Sequence, residues 1–417
     1  MRFLAAAVPA FAVALTLAGC GGSVRSSRAE TITINLTTPA IQPADDANPA
    51  SHAASPLPAT GQVTGSVVTQ TEPSPVIRPL APAADARLNG VSVWIPYWSL
   101  SAAVTTAIDN DRIVKVAHPF LDEITGTSTV VDQSGGQAAA ITDELAARHI
   151  TVIPTVTETA DMRAFAETLS NPFRQAALRA VLLTIAEQPG NDGVDLDFEN
   201  MALGSGNVPQ AAKVARLYPE FLGRLCSALH ADGRSCEVTV MAKNTAGRLD
   251  SDGLDTGVYD YAALARVADR IQLMAYDDHV PSGAAGPIAP WPWVESVLDY
   301  ALTQIPADKV VLGIPAYGYD WSSKGGGTSL TATAAQALAA GVHSAIGWSE
   351  SDAEPYFDYR TGRPKHEIRH TVWFEDATAI YDRAVLAADN RLAGVDIWAA
   401  GDEAPSTWTM LRRLPGE

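Results

Sequence analysis

A chain of 417 residues, 47% of them hydrophobic, can bury the core of one large domain or two ordinary ones, which excludes disorder along its whole length. Its formal net charge of -18 and pI near 4.8 exclude a nucleic-acid binder, because phosphate recognition needs a basic face and no basic cluster occurs anywhere. The first predicted element is a secretory signal. Arg2 precedes an apolar run from Leu4 to Leu17, too short to cross a hydrocarbon core about 30 Å thick.

Leu17-Ala18-Gly19-Cys20 resembles the bacterial lipobox. The resemblance implies that Cys20 becomes a lipidated N-terminus and that the protein is exported and anchored to the membrane of a bacterial cell envelope. An ordinary cleavage site with an incidental cysteine is the alternative. Residues 21–88 are Ala, Pro, Ser and Thr with nine scattered prolines and hardly an aromatic, a composition that cannot form a core. They are expected to be a disordered tether with a reach on the order of 50 Å.

From residue 89 to 417 short apolar runs alternate with amphipathic stretches. The runs are VSVWIPYW from 91, VKVAHPF from 114, ITVIPTVTE from 150, GVDLDFE from 193, CEVTVMA from 236, RIQLMAY from 270, KVVLGIPAYG from 309 and GVDIWA from 394. Helical spacing is clearest at 173–188 and 218–231. Eight strand-helix units over this length predict an α/β fold, a (β/α)8 TIM barrel; a doubly wound sheet is the rival, but no Gly-rich dinucleotide turn follows the first strand. Residues 319–371, between the seventh and eighth strands, are too long for a simple connection and predict a small insertion beside the barrel mouth. Cys226 and Cys236 are ten residues apart; a disulfide and two separate buried thiols both fit, since spacing does not fix the Cα separation a bridge requires.

The chemistry concentrates in DGVDLDFEN, residues 192–200. Strand alternation puts Asp195, Asp197 and Glu199 on one face and Val194, Leu196 and Phe198 on the other, so in a barrel the acids line the interior and Glu199 lies nearest the mouth. Like charges about 6–7 Å apart in a low dielectric raise one another's pKa. At least one proton is then held at neutral pH, and a protonated carboxyl at a cleft is what general-acid catalysis needs. No histidine lies near the motif, which disfavours a metal site, although an all-oxygen calcium or magnesium site would not require one; no metal is expected and no cofactor is called for.

Asp192-Gly193-Val194-Asp195-Leu196-Asp197-Phe198-Glu199 resembles the DxxDxDxE signature of glycoside hydrolase family 18, the chitinase and N-acetylglucosaminidase family. LMAYDDH at 273–279 and Trp398 in GVDIWAAG resemble its sixth and eighth strands. WIPYW at 94–98, GPIAPWPW at 286–293, GIPAYGYDW at 313–321 and VWFED at 372–376 resemble the bacterial branch related to spore-cortex and peptidoglycan N-acetylglucosaminidases. The likeness runs from about residue 90 to 413. Phe198 departs from the tryptophan usual in chitinases, and no cell-wall-binding repeat of the LysM type is present.

The resemblance implies retaining, substrate-assisted hydrolysis of a glycan containing N-acetylglucosamine, on peptidoglycan or a chitin-like polymer. Glu199 is the implied acid and base, Asp197 the stabiliser of an oxazolinium intermediate, Asp195 its proton partner and Tyr276 the donor to the acetamide oxygen. Trp398, Met274, Asp277 and Tyr97 are the implied sugar contacts, with Trp98, Tyr317 and Trp321 ranked behind them. Asp396 shares strand parity with Trp398 and has no role in this scheme. A sugar-binding lectin on the same barrel, or a purely structural envelope lipoprotein, are the rival readings. The oligomeric state leaves no trace in the sequence.

Overall fold

The computed structural model of the protein describes residues 79–83, 86–126, 128–203, 208–247 and 254–414. The signal, Cys20 and the tether as far as residue 78 fall outside these. Strands β1 (Val91–Pro96) and β2 (Val114–Thr125) pair in parallel, and β3 (Thr129–Asp132) folds back on the end of β2. The third stave is split into β4 (Thr151–Val152) and β5 (Thr155–Glu158), because Pro154 between them has no N–H to give the ladder. Then come β6 (Gly193–Asp197), β7 (Ser235–Met241), β8 (Arg270–Met274) and β9 (Val310–Pro315).

The next five strands leave the barrel. They are β10 (Tyr317–Ser322), β11 (Gly327–Thr331), β12 (Gly347–Ser349), β13 (Glu354–Thr361) and β14 (Ile368–Phe374), an antiparallel sheet in the order β11-β10-β14-β13-β12 beside the helix Ala332–Gly341. β15 (Gly394–Trp398) then returns between β9 and β1 and closes the cylinder. Each of the eight predicted runs is therefore a stave, and the β1–β2 and β1–β15 pairings exclude the open-sheet rival. The insertion stands where a long connection was predicted, spanning the strands from Tyr317 to Phe374.

Outer helices cover the apolar side of the staves. The helix Pro172–Ala186 starts where the Asn171 side chain accepts from the amides of Phe173 and Arg174, with Pro172 in the first turn, where its missing N–H costs nothing. The helix Val208–Ala231 runs further back than its predicted core at 218–231, and its buried face includes Val214, Tyr218, Phe221 and Leu225. Cys226 on this helix and Cys236 on β7 are joined by a disulfide, with the Cα atoms 5.2 Å apart.

One buried ionic cluster ties the insertion to the barrel. Arg383, on the helix Ala377–Asp389, lies 3.1 Å from Glu354 and 3.0 Å from Glu375, and all three side chains are almost wholly buried. Glu354, the first residue of β13, also accepts from the amides of Ile288 and Ala289 at 2.8 and 2.6 Å. Arg383 donates in addition to the carbonyls of Ala289, Ala353 and Ala379. Burial and the neighbouring Glu354 push the Glu375 carboxyl well above its ordinary range, so Glu375 keeps its proton and donates to Glu354. One cation then faces one carboxylate, which removes most of the penalty of burying three charges.

Candidate active site

Alternation along β6 works as the sequence implies. Val194, Leu196 and Phe198 are fully buried toward the helices, where the Phe198 ring meets Phe165 edge-on at 5.6 Å and stacks over Tyr218 at 6.2 Å. Asp195 faces the barrel axis and accepts from Thr155 on one neighbouring stave at 2.8 Å and from Thr239 on the other at 2.8 and 3.0 Å. Burial lifts its pKa to about 6, and these hydroxyls and Trp94 hold it from going higher. Asp197 stands one step nearer the mouth. Burial first, and then the charges of Glu199, Asp195 and Glu158, raise its pKa well above the carboxylate range.

The strand itself stops at Asp197, two residues earlier than the parity argument assumed. Glu199 has helical dihedrals, φ -98° and ψ -34°, and opens a short turn over Asn200–Ala202. Its side chain still enters the cavity at the barrel mouth, beside Asp197. That placement is the one on which any chemistry at this motif depends.

Beneath the acids the barrel axis is polar instead of being filled by branched aliphatics. His118 Nδ1 lies 3.1 Å from the Ile153 carbonyl, an acceptor only, so Nδ1 carries the ring hydrogen and Nε2 bears the lone pair. Burial depresses the His118 pKa to about 3, which keeps the ring neutral. Asp396 Oδ2 is 3.1 Å from Nε2, and burial, abetted by Asp195 and Glu237, holds its pKa well above the usual range. Asp396 therefore keeps its proton beside the neutral His118, whose Nε2 lone pair accepts from Gln272 at 3.3 Å. Gln272 donates to Glu237 at 2.8 Å and completes the layer.

The cavity above has a volume of about 270 Å³. Met274 enters it from the end of β8 and Tyr276 from two residues beyond, and Tyr276 is close enough to Asp197 and Glu199 for their charges to raise its phenol pKa further after burial has done most of the work. Gly313 on β9 makes room for this ring: a Cβ there would lie 3.0 Å from Tyr276 Cε1 and 2.7 Å from the Leu273 carbonyl oxygen. Asp277 has left-handed backbone, φ 63°, and accepts from the hydroxyls of Tyr317 at 2.6 Å and Tyr319 at 2.9 Å. Trp398 forms one wall, packed edge-on against Trp94, Trp98 and Phe120 at 5.7, 5.9 and 5.4 Å. Tyr97 and Trp98 also face the cavity.

Glu199, Asp197, Tyr276, Met274, Asp277, Trp398 and Tyr97 are thus brought together, with Asp195 directly below. Tyr317 and Trp321 are not among the cavity's lining; they belong to the insertion sheet, where Tyr317 orients Asp277 and Trp321 Nε1 donates to the Val280 carbonyl at 3.2 Å. Sequence reasoning missed Glu158, Glu237, His118 and Lys243. Glu237 was legible as a polar residue alternating with apolar ones in CEVTVM; His118 was not, because it stands three residues from Lys115 and so on the opposite face of its strand. Nor was Glu158. It follows inward-facing Thr157, so parity sends it outward, yet at the strand's end the chain turns and buries its carboxyl at the cavity, lifting the pKa to about 8.

A pH dependence of stability follows. Burial raises Glu158 to about 8 and Glu237, Asp122 and Asp402 to about 7, against ordinary values of 4.5 and 3.8. Above the ordinary histidine value of 6.5, His118 is neutral in both the folded and the unfolded chain and drops out. Between pH 6.5 and about 8 the folded protein therefore holds protons that the unfolded chain has released, so stability falls as pH rises. Thermal unfolding should show a higher midpoint at the acid end of this window; a midpoint that rises toward its alkaline end would show that these carboxyls are ionised in the fold.

A closed parallel barrel with a carboxyl ladder rising into an aromatic-walled cavity defines a glycosidase-type (β/α)8 protein. The family model for glycosyl hydrolases family 18 matches residues 93–403, and the chain belongs to that family. The uncharacterized glycosylase YvbX of Bacillus subtilis is 30% identical over 251 residues, 59% of this chain and 67% of the relative. The cortical fragment-lytic enzyme of the same organism is 30% identical over 199 residues, 46% of this chain and 45% of the relative, so the chain spans about half of that enzyme. Among solved structures, a chitinase from Chromobacterium violaceum superposes with a TM-score of 0.68 at 26% identity, over 78% of this chain and 98% of that one. The Bacillus cereus spore cortex-lytic enzyme SleL shares the fold, with a TM-score of 0.70 at 21% identity over 81% of this chain and 76% of that one.

Proposed function

We infer that the protein is a retaining glycoside hydrolase that cleaves β-linked N-acetylglucosamine glycans with the substrate's own acetamide as nucleophile. The observation that carries this reading is the entry of Glu199 into the cavity that Asp197 and Tyr276 also line. Glu199 protonates the glycosidic oxygen as the acetamide oxygen attacks the anomeric carbon, then takes a proton from the water that opens the oxazolinium, so configuration is retained. Asp197 accepts the acetamide N–H and faces the developing positive charge. Its own proton passes toward Asp195, whose carboxylate is held by Thr155 and Thr239. The Tyr276 hydroxyl donates to the acetamide oxygen and aligns it for attack, and Trp398 offers an aromatic face to the pyranose ring.

The lipobox-like sequence at Cys20 and the likeness to cortical fragment-lytic enzymes support an envelope-anchored protein acting on peptidoglycan, with chitin-like polymers as the other substrate class. Incubation of the full chain with chitooligosaccharides and with purified peptidoglycan in ¹⁸O-water tests the reading. Products carrying the label on a β-configured reducing N-acetylglucosamine are expected. Release of the α-anomer, or no cleavage of either polymer, would overturn it.

A further inference from the structure

Against 47 acids the chain carries only 29 lysines and arginines, yet five of these cations are gathered at one end of the insertion sheet. The turn joining β13 to β14 reads RTGRPKHEIR at 360–369, four cations against one acid, and the turn joining β10 to β11 adds Lys324. The two turns are tied together, since the Ser323 amide donates to the Arg369 carbonyl at 2.7 Å and the Arg369 amide donates to Ser323 Oγ at 3.0 Å. All five side chains are exposed. The basic face that the overall charge argued against is therefore present, assembled by the fold from two separate turns.

Arg360 and Arg369 stand directly opposite each other across β13 and β14, an arrangement of like charges that costs stability unless an anion lies between them. Glu367 answers Arg360 at 2.7 Å. Among the described residues Lys324, Arg363, Lys365 and Arg369 pair with no carboxylate, and the next acids along the same strands are engaged, Asp358 by Thr371 and Asp320 by Tyr359 and His370. β10, six residues and so about 20 Å long, separates this end from Tyr317, which holds Asp277 at the cavity. That is about two Debye lengths at physiological salt, so the patch's own sign governs what approaches it.

Five cations spread over two turns exceed what a single small anion needs and suit a linear polyanion. Arg360 and Arg369 line one groove with Ser322 and Ser323, where a chain can lie and a flat bilayer cannot enter. Two guanidinium forks on neighbouring strands suit a tetrahedral phosphate, whose oxygens diverge, better than a planar carboxylate. The rings beside the groove are already engaged, Trp321 by burial and Tyr359 by stacking on His370 at 4.4 Å, which disfavours the bases of a nucleic acid. We propose that this end of the insertion is a docking surface for a linear phosphodiester polymer of the poly(glycerol phosphate) kind, held beside the cleft and not in it. The proposal is independent of the hydrolase reading, because it concerns a surface that the chemistry does not use.

Titration calorimetry of the full chain with poly(glycerol phosphate) is the test. With the four cations that lack a carboxylate partner in contact, affinity should fall about fiftyfold between 50 and 200 mM salt, the slope that four charges give on a flexible polyanion. A protein carrying Arg363→Gln, Lys365→Gln and Arg369→Gln together should lose most of that affinity and of its salt dependence. Its unfolding midpoint, and any hydrolysis of a neutral chitooligosaccharide, should match wild type, since all three side chains are exposed and far from the cavity. No binding at 50 mM salt, or binding that the triple variant retains, would overturn the proposal. So would tighter binding of a polynucleotide or a polyglutamate of equal charge, or capture by phosphatidylglycerol vesicles that depends on these three cations and that the polymer does not displace. Cleavage enters only as a control, so failure of the hydrolase reading leaves the binding result intact.

Discussion

Glu199→Gln is expected to slow hydrolysis of an N-acetylglucosamine oligomer by about 10²- to 10⁴-fold, the range a positioned general acid contributes. The amide keeps the size and one acceptor of the carboxyl but has no proton to give the leaving oxygen. Because Glu199 opens a turn and is only half-buried, the fold does not depend on its charge. Circular dichroism and unfolding midpoint should therefore match wild type, and affinity for the oligomer should persist. The loss should appear in kcat, since the interaction removed exists only as the bond breaks. Asp197→Asn should also reduce kcat while changing the pH profile, because Asp197 holds its proton through burial and the charges around it. Turnover by Glu199→Gln at the wild-type rate would move the chemistry elsewhere in the barrel.

The largest expected effect on stability is that of Arg383→Met. Removing the cation leaves Glu354 in a dry site with no counter-charge and strands three carbonyls that Arg383 serves. Breaking a buried pair from one side costs about 3–5 kcal/mol, measurable as a shift in the urea midpoint at constant slope. If the uncompensated charge is the cause, adding Glu354→Gln to the Arg383→Met protein should recover part of that loss. A single variant as stable as wild type would mean that Glu354 takes up a proton once the cation is gone, so that no buried charge is left uncompensated.

The staves were legible because each is a short apolar run bounded by turn residues, and a parallel barrel buries both faces of every strand. The acids of β6 were legible for a related reason: charge at every second position in an otherwise buried strand has few structural uses. What parity could not supply was anything set by the chain after the strand has ended. Glu199 reaches the cavity through a turn and Glu158 does so against its parity, while Asp277 depends on a left-handed residue held by two tyrosines from the insertion. Lys243 reads in sequence as an ordinary surface lysine; only the rings of Tyr261 and Tyr300, distant along the chain, make it a fixed feature of the site.

The Arg383 cluster joins three stretches that are far apart along the chain: the loop leaving β8, the start of β13, and the helix before β15. A graft that exchanged only the contiguous insertion with a relative would cut that cluster at Glu354 and leave its other members behind. The natural unit of recombination here is discontinuous. Cleft shape can be transplanted only if the loop bearing Tyr276 and the helix bearing Arg383 travel with the sheet they hold.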